Sequence, residues 1–407
     1  MSAIDQLQTY EAYCQGRLAD PYPLFHRLRA EDPVHWSQKL DSWMLTRYDD
    51  VLAANRDGCL SSDRVAVNMS PLTEAQRVKY AALKEHVANW LGFTDPPKHT
   101  RMRHLISQSL TAKRADDMRG HIEQIATGLL DQVAGKGRMD LVRDFAYPLP
   151  ATVILHILGI PDRNRQQCRQ WIEDLIAFVG GVGPSLAQVA DRAEQSQQAL
   201  TRFFRDLTLK RRNEPQEDLI SDLAAVEGQP GGLTEQELLG LCVFLFAAGH
   251  ETTVGLIANG MLALLQHRHE MERLRHDRTL MPTAIEEFLR YESPIQIDTR
   301  LAKADLQIAG QHIASGQTVI MVRAAANRDP AQFADPDRLD VGRKQNKHLA
   351  FGWGAHFCLG APLARLEGQI AIRTLLDRFD KLQMETGDIQ WLANMSVRCP
   401  QSMPVTF

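Results

Sequence analysis

The sequence predicts a mainly α-helical fold with a small β component, gathered into a single domain over residues 1–407. Three observations predict it. Leu238 to Leu265 is one long, almost unbroken apolar stretch, the signature of a helix buried through the middle of a large body. From about residue 97 onward the pattern is mostly helical, broken by turn signals. Strand-like alternation is confined to short segments near residue 43, at 305–323 and near the C-terminus.

Each element has a local reason. The N-terminus turns polar at once, with no basic flank and apolar run, so neither a signal peptide nor a membrane anchor is expected. The first ~60 residues mix short helical patterns with strand-like Trp43-Met44-Leu45-Thr46. Turns are marked by Gly159-Ile160-Pro161-Asp162, by Glu214-Pro215 and by Gly228-Gln229-Pro230-Gly231-Gly232. The central helix opens on a capping box, Thr234 with Glu237, and a hydrophobic staple, Leu233 with Leu238. Running to about His267, it would be ~50 Å long. That length suits a membrane span, but His250 and Glu251 near its centre would be costly in lipid. No membrane partner is expected. No boundary justifies cutting the chain.

Composition narrows the function. Hydrophobic residues make up 44% and charged residues 24%, and the net charge is −4, so no basic excess points to nucleic acid. The cysteines at 14, 59, 168, 242, 358 and 399 are widely spread with no close pair. They read as free thiols in a reducing compartment, which predicts a cytoplasmic location.

The strongest local signal is Phe351-Gly352-Trp353-Gly354-Ala355-His356-Phe357-Cys358-Leu359-Gly360. Three glycines in ten residues let backbone fold tightly against a flat ligand. A helical pattern with Pro362 in its first turn follows, which puts Cys358 at a helix N-terminus, where N–H groups and the dipole favour a thiolate. A thiolate so held suits an iron ligand. A small buried apolar cysteine is the plainer alternative. A zinc site through His356 and Cys358 is weaker, because no second ligand pair stands at suitable spacing.

This loop resembles the haem-binding signature F-G-x-G-x-H-x-C-x-G of the cytochrome P450 superfamily, soluble bacterial type, and every fixed position matches. Further matches follow in the family's order from about Asp95 to Arg365. The resemblance implies haem b (iron protoporphyrin IX) between the central helix and the cysteine loop, with Cys358 as the iron ligand and Phe351 and Gly352 against the macrocycle. It implies a dioxygen-handling element at Ala248-Gly249-His250-Glu251-Thr252. There Gly249 would leave room beside the iron, Thr252 would orient dioxygen through its hydroxyl, and Glu251 would relay protons. A helical Thr that merely bonds the Ala248 carbonyl is the alternative for Thr252.

Haem carries two carboxylates, and the resemblance assigns His99, Arg103, Arg300 and His356 to them. His99 and Arg103 stand at i and i+4, on one helical face. Glu287-Phe288-Leu289-Arg290 matches the family's E-x-x-R element, with Arg338 as its third member, a set with a structural role. The substrate pocket is expected from Phe178, Phe244, Ala248, Ile295 and Ile297, and Phe178-Val179-Gly180-Gly181-Val182-Gly183-Pro184 has the glycines of a mobile lid.

The implied activity is monooxygenation: hydroxylation or epoxidation of a mostly apolar small molecule, free or tethered to a carrier protein, in secondary metabolism. Electrons would come from a ferredoxin or flavodoxin with its reductase, drawn to a basic patch among Lys98, Arg101, Lys113, Arg114 and Arg365. Two other readings stay open. One is a peroxide-using or isomerising haem-thiolate enzyme; the other is a catalytically silent haem-binding recruiter in a biosynthetic complex.

Overall fold

The computed structural model describes residues 4–69, 72–179, 186–385 and 387–407. Gly180 to Pro184 of the expected lid lie outside the described residues. The chain forms two compact units, one of residues 62–114 and 151–250, the other of 1–61, 115–150 and 251–407, so it passes between them four times.

The strands are Val34–Ser37 (β1), Ser42–Leu45 (β2), Leu60–Ser61 (β3), Arg138–Asp140 (β4), Asp298–Ala302 (β5), Leu306–Ile308 (β6), Gln311–Ile313 (β7), Thr318–Met321 (β8), Gln383–Met384 (β9) and Pro404–Thr406 (β10). The helices that matter to the site are Lys98–Ser107 (α1), Pro148–Ile157 (α2), Arg165–Val179 (α3), Glu235–Gln266 (α4), Met281–Tyr291 (α5) and Ala361–Arg378 (α6).

All the described strands belong to the unit that contains residues 251–407. Its largest sheet runs β1-β2-β8-β5-β3. β2 pairs with β8 in parallel, Leu45 opposite Met321, and β5 pairs with β8 antiparallel, Asp298 opposite Met321. Successive side chains on a strand point to opposite faces. Leu45, Val319 and Met321 accordingly pack into one core with Val34, Phe333 and Leu349. Met44 and Ile320 pack into another with Phe25, Leu28 and Ile297. A smaller sheet, β4-β10-β9, has the C-terminal strand at its centre.

The long apolar stretch forms α4, 32 residues and about 48 Å. Its capping box closes as the sequence predicts: the Thr234 N–H donates to Glu237 Oε2 at 3.0 Å, and the Glu237 N–H donates to Thr234 Oγ1 at 3.2 Å. The helix ends at Gln266, one residue before the expected His267. It is long and apolar enough to cross a membrane, but 72% of its most apolar window is buried inside the protein. The first half, through His250, lies in the helical unit, and Glu251 onward in the other.

Candidate active site

On α4, every residue from Leu238 to Leu265 is buried except Phe244, Ala248, Gly249, Glu251 and Thr252. Positions 244, 248, 251 and 252 fall at i, i+4, i+7 and i+8, so they form one accessible stripe along one helical face. The stripe carries an aromatic ring, a small residue, a carboxyl and a hydroxyl in that order. His250 and Thr253, between and beside them, are buried at 1% and 3% exposure.

A Cβ on Gly249 would stand 2.9 Å from Ile154 Cδ1, on α2, so the missing side chain also lets Ile154 approach the helix closely. Phe244 faces Trp90, ring centroids 6.0 Å apart, and lies against Gly92. Trp90, whose buried indole Nε1 has no hydrogen-bond partner among the described residues, ends the stretch 62–90 that the family resemblance assigns to the substrate pocket. Phe178 and Ile297 are 3% and 6% exposed, and Ile297 packs within a core cluster. Ile295 is half-buried and bridges to Val397.

The cysteine loop is held by its own backbone. The Cys358 N–H donates to the Phe351 carbonyl at 2.9 Å, the Gly352 N–H to Leu349 at 2.9 Å, and the Phe357 N–H to Gly354 at 3.1 Å. Gly352 and Gly354 sit at φ of 72° and 69°, a region that side chains disfavour. Cys358 is half-buried and stands two residues ahead of Gly360, the N-cap of α6, so it precedes the first turn rather than lying in it. Pro362 is in that turn, as predicted. The Arg365 guanidinium lies 4.6 Å from the centre of the Phe351 ring.

Asp298 and Arg300 alternate on β5, and Arg323 follows β8, the strand beside it. Asp298 accepts from both arginines: Oδ1 lies 2.8 Å from Arg300 Nη1, and Oδ2 2.6 Å from Arg323 Nη2. Arg300 is 5% exposed and Arg323 9%. Arg323 Nη2 would stand 3.0 Å from a Cβ on Gly352, which places the guanidinium against the cysteine loop. Burial pulls its pKa below the ordinary arginine value, while Asp298 and the nearby Cys358 thiol pull it up. It stays protonated, as arginine does. His356 is half-buried within the loop. On α1, His99 is 1% exposed and Arg103 follows one turn on.

Behind the loop, Glu287 and Arg290 of α5 are both fully buried and joined by bonds of 2.8 Å to each carboxylate oxygen. The third partner is Arg343, not Arg338. Arg343 Nε reaches the two Glu287 oxygens at 3.1 and 3.0 Å. Arg338 turns its side chain out, 65% exposed, toward Asp340, and contributes only its carbonyl, to Arg290 and Arg343. Of the expected basic patch, Lys98 donates to Asn89, Arg101 is paired with Glu237, Arg114 with Asp222, and Arg365 with both oxygens of Glu286. These cations are spent within the fold, which weakens their claim to a partner.

Among the described residues there is no cluster of three or more His, Cys, Asp or Glu that could hold a metal ion. An iron carried within a porphyrin needs only one protein ligand, and a half-accessible thiol in a glycine-shaped loop with cations beside it fits that requirement. The sequence profile described as Cytochrome P450 matches residues 73–402. The chain belongs to the cytochrome P450 family.

The cytochrome P450 monooxygenase PikC of Streptomyces venezuelae is 41% identical over 96% of this chain and 92% of its own. The 6-deoxyerythronolide B hydroxylase of Saccharopolyspora erythraea is 38% identical over 95% and 96%. The crystal structure of P450BioI in complex with acyl carrier protein ligated to hexadec-9Z-enoic acid superposes with a TM-score of 0.88, at 37% identity over 95% of this chain and 98% of that one. This P450 is a monooxygenase whose cofactor is haem b, and its fold is the mainly helical P450 fold with small sheets.

Proposed function

We propose that this P450 hydroxylates or epoxidises a mostly apolar small molecule of secondary metabolism in the cytoplasm, working as one haem-thiolate domain with electrons from a ferredoxin or flavodoxin and its reductase. The observation that carries the reading is the accessible stripe on α4, which sets Phe244 and Ala248 beside an acid and a hydroxyl on an otherwise buried helix. Haem, when bound, supplies the oxidising chemistry. The chain's own residues do the rest. Cys358 Sγ holds the iron, and the loop N–H bonds fix its backbone. The Glu251 carboxyl passes protons inward, and the Thr252 hydroxyl hands them on at Oγ1. Phe244 and Ala248 offer apolar surface to the substrate and help exclude water. His99, Arg103, Arg300 and His356 bind the haem carboxylates.

A carrier-tethered substrate is favoured among the alternatives by the likeness to P450BioI, whose structure holds an acyl carrier protein. The test is a spectral titration of the ferric protein with macrolides, terpenoids, free fatty acids and an acyl carrier protein bearing an acyl chain. A saturable low-spin to high-spin shift names the substrate class. Turnover of that compound should then depend on Thr252. In Thr252→Ala, coupled product formation should fall on the order of a hundredfold while electron consumption continues. Unchanged coupling would reject the proton path, and equal turnover with peroxide alone would reject the monooxygenase cycle.

A further inference from the structure

We propose that Arg323 is a haem-carboxylate residue of this P450, acting with Arg300 as a buried two-arginine clamp whose shared counter-ion is Asp298. The inference rests on the reading that haem sits against the cysteine loop. Its basis is a charge count. Arg300 and Arg323 are both buried, and both bond the one carboxylate of Asp298. Two guanidinium groups against one carboxylate leave a net positive charge out of water, which is costly unless an anion meets it.

The hydrogen bonds are short by one as well. Arg323 Nε is buried and has no acceptor among the described residues. Buried N–H groups are nearly always satisfied, so an orphan on a charged group marks the place of an acceptor that the described residues do not supply. Arg323 lies against Gly352 in the loop that presents Cys358, and Arg300 stands two residues from Asp298 on β5. A haem carboxylate brought to this corner would supply both the missing charge and the missing acceptor, in the planar fork geometry that arginine favours. Asp298 holds the two forks at a fixed spacing and is a positioning residue.

The test is haem transfer from the purified ferric holoprotein to apomyoglobin, with the ferric/ferrous potential measured alongside. Arg323→Gln should lose haem about ten- to a hundredfold faster, the size of one hydrogen bond to a charged group. Its potential should move negative, because removing a cation disfavours the added electron. Arg323→Lys should restore the potential while recovering only part of the haem retention. Asp298→Asn separates this role from simple ion pairing. If Arg323 serves only Asp298, the Arg323→Gln, Asp298→Asn double variant should retain haem as the wild type does, and the proposal is overturned. A double variant that loses haem as fast as Arg323→Gln supports it. Wild-type protein that binds haem, together with an Arg323→Gln variant unchanged in both readouts, would overturn the clamp alone. Wild-type protein that binds no haem would overturn the haem reading beneath it.

Discussion

At Glu287 one buried carboxylate accepts from Arg290, from Arg343, from Asn346 Nδ2 at 3.1 Å and from the Asp340 N–H at 3.0 Å. Arg343→Ala leaves Glu287 paired with Arg290 but strips charged hydrogen bonds from both oxygens of a buried carboxylate, and should cost about 1.5–3 kcal/mol. Arg338→Ala, on an exposed side chain, should stay within about 0.5 kcal/mol. Urea midpoints of the two variants check the contrast. The sequence made the Glu287–Arg290 pair legible through helical i, i+3 spacing. It could not choose between two arginines five residues apart in a coil, where no periodicity says which one turns inward. Arg323 was hidden for a related reason: an arginine just past a strand reads as an ordinary flanking charge until the neighbouring strand is known. Glu286 gives a pH prediction. Burial alone would raise its carboxyl, but hydrogen bonds from Arg365 and His348 outweigh that and hold it at about 2. A carboxyl held low in the fold stabilises fully above its unfolded pKa near 4.5, and the gain is lost as pH falls from there through about 2. The gain is at most about 3 kcal/mol. Glu286→Gln should flatten that part of the stability–pH curve, measured by urea unfolding at pH 5 and pH 3.

The long helix α4 is where local reading worked best and also where it missed a packing contact. Its start was legible because capping is a short-range pattern, and its burial because apolar length has few other uses in a helical fold. Phe244 and Ala248 could be placed on one face with Glu251 and Thr252 by counting turns. The contact between Gly249 and Ile154 could not be foreseen, because Ile154 comes from a segment about 95 residues away in sequence and only the folded pair shows the close approach. Gly255 is a second such position: a Cβ there would stand 2.9 Å from Pro294 Cβ and 3.3 Å from the Arg398 carbonyl. Proline and backbone give way poorly. Gly255→Val should therefore lose about 1–3 kcal/mol by overpacking, despite the better helix propensity, and show it as a lowered thermal midpoint.

Over the whole chain, the β component foreseen at 305–323 forms β6, β7 and β8, but the order β1-β2-β8-β5-β3 was beyond reach, since it joins strands nearly 300 residues apart. Local alternation announces a strand without naming its partner. In the smaller sheet, Val405 of β10 is fully buried and Phe407 stacks on Phe379 at 3.7 Å. Deleting residues 404–407 removes the central strand, and should cost about 3–5 kcal/mol and lower the yield of folded protein, as measured by haem content per chain. The position of β10 also sets a timetable. Its partner β4 is made about 260 residues earlier and must wait for it. At roughly 5–20 residues per second on the ribosome, that wait is on the order of tens of seconds. Through that interval the edge of β4 and the buried side of Met139 wait for the last residues to be made, so this sheet closes only once the chain is complete.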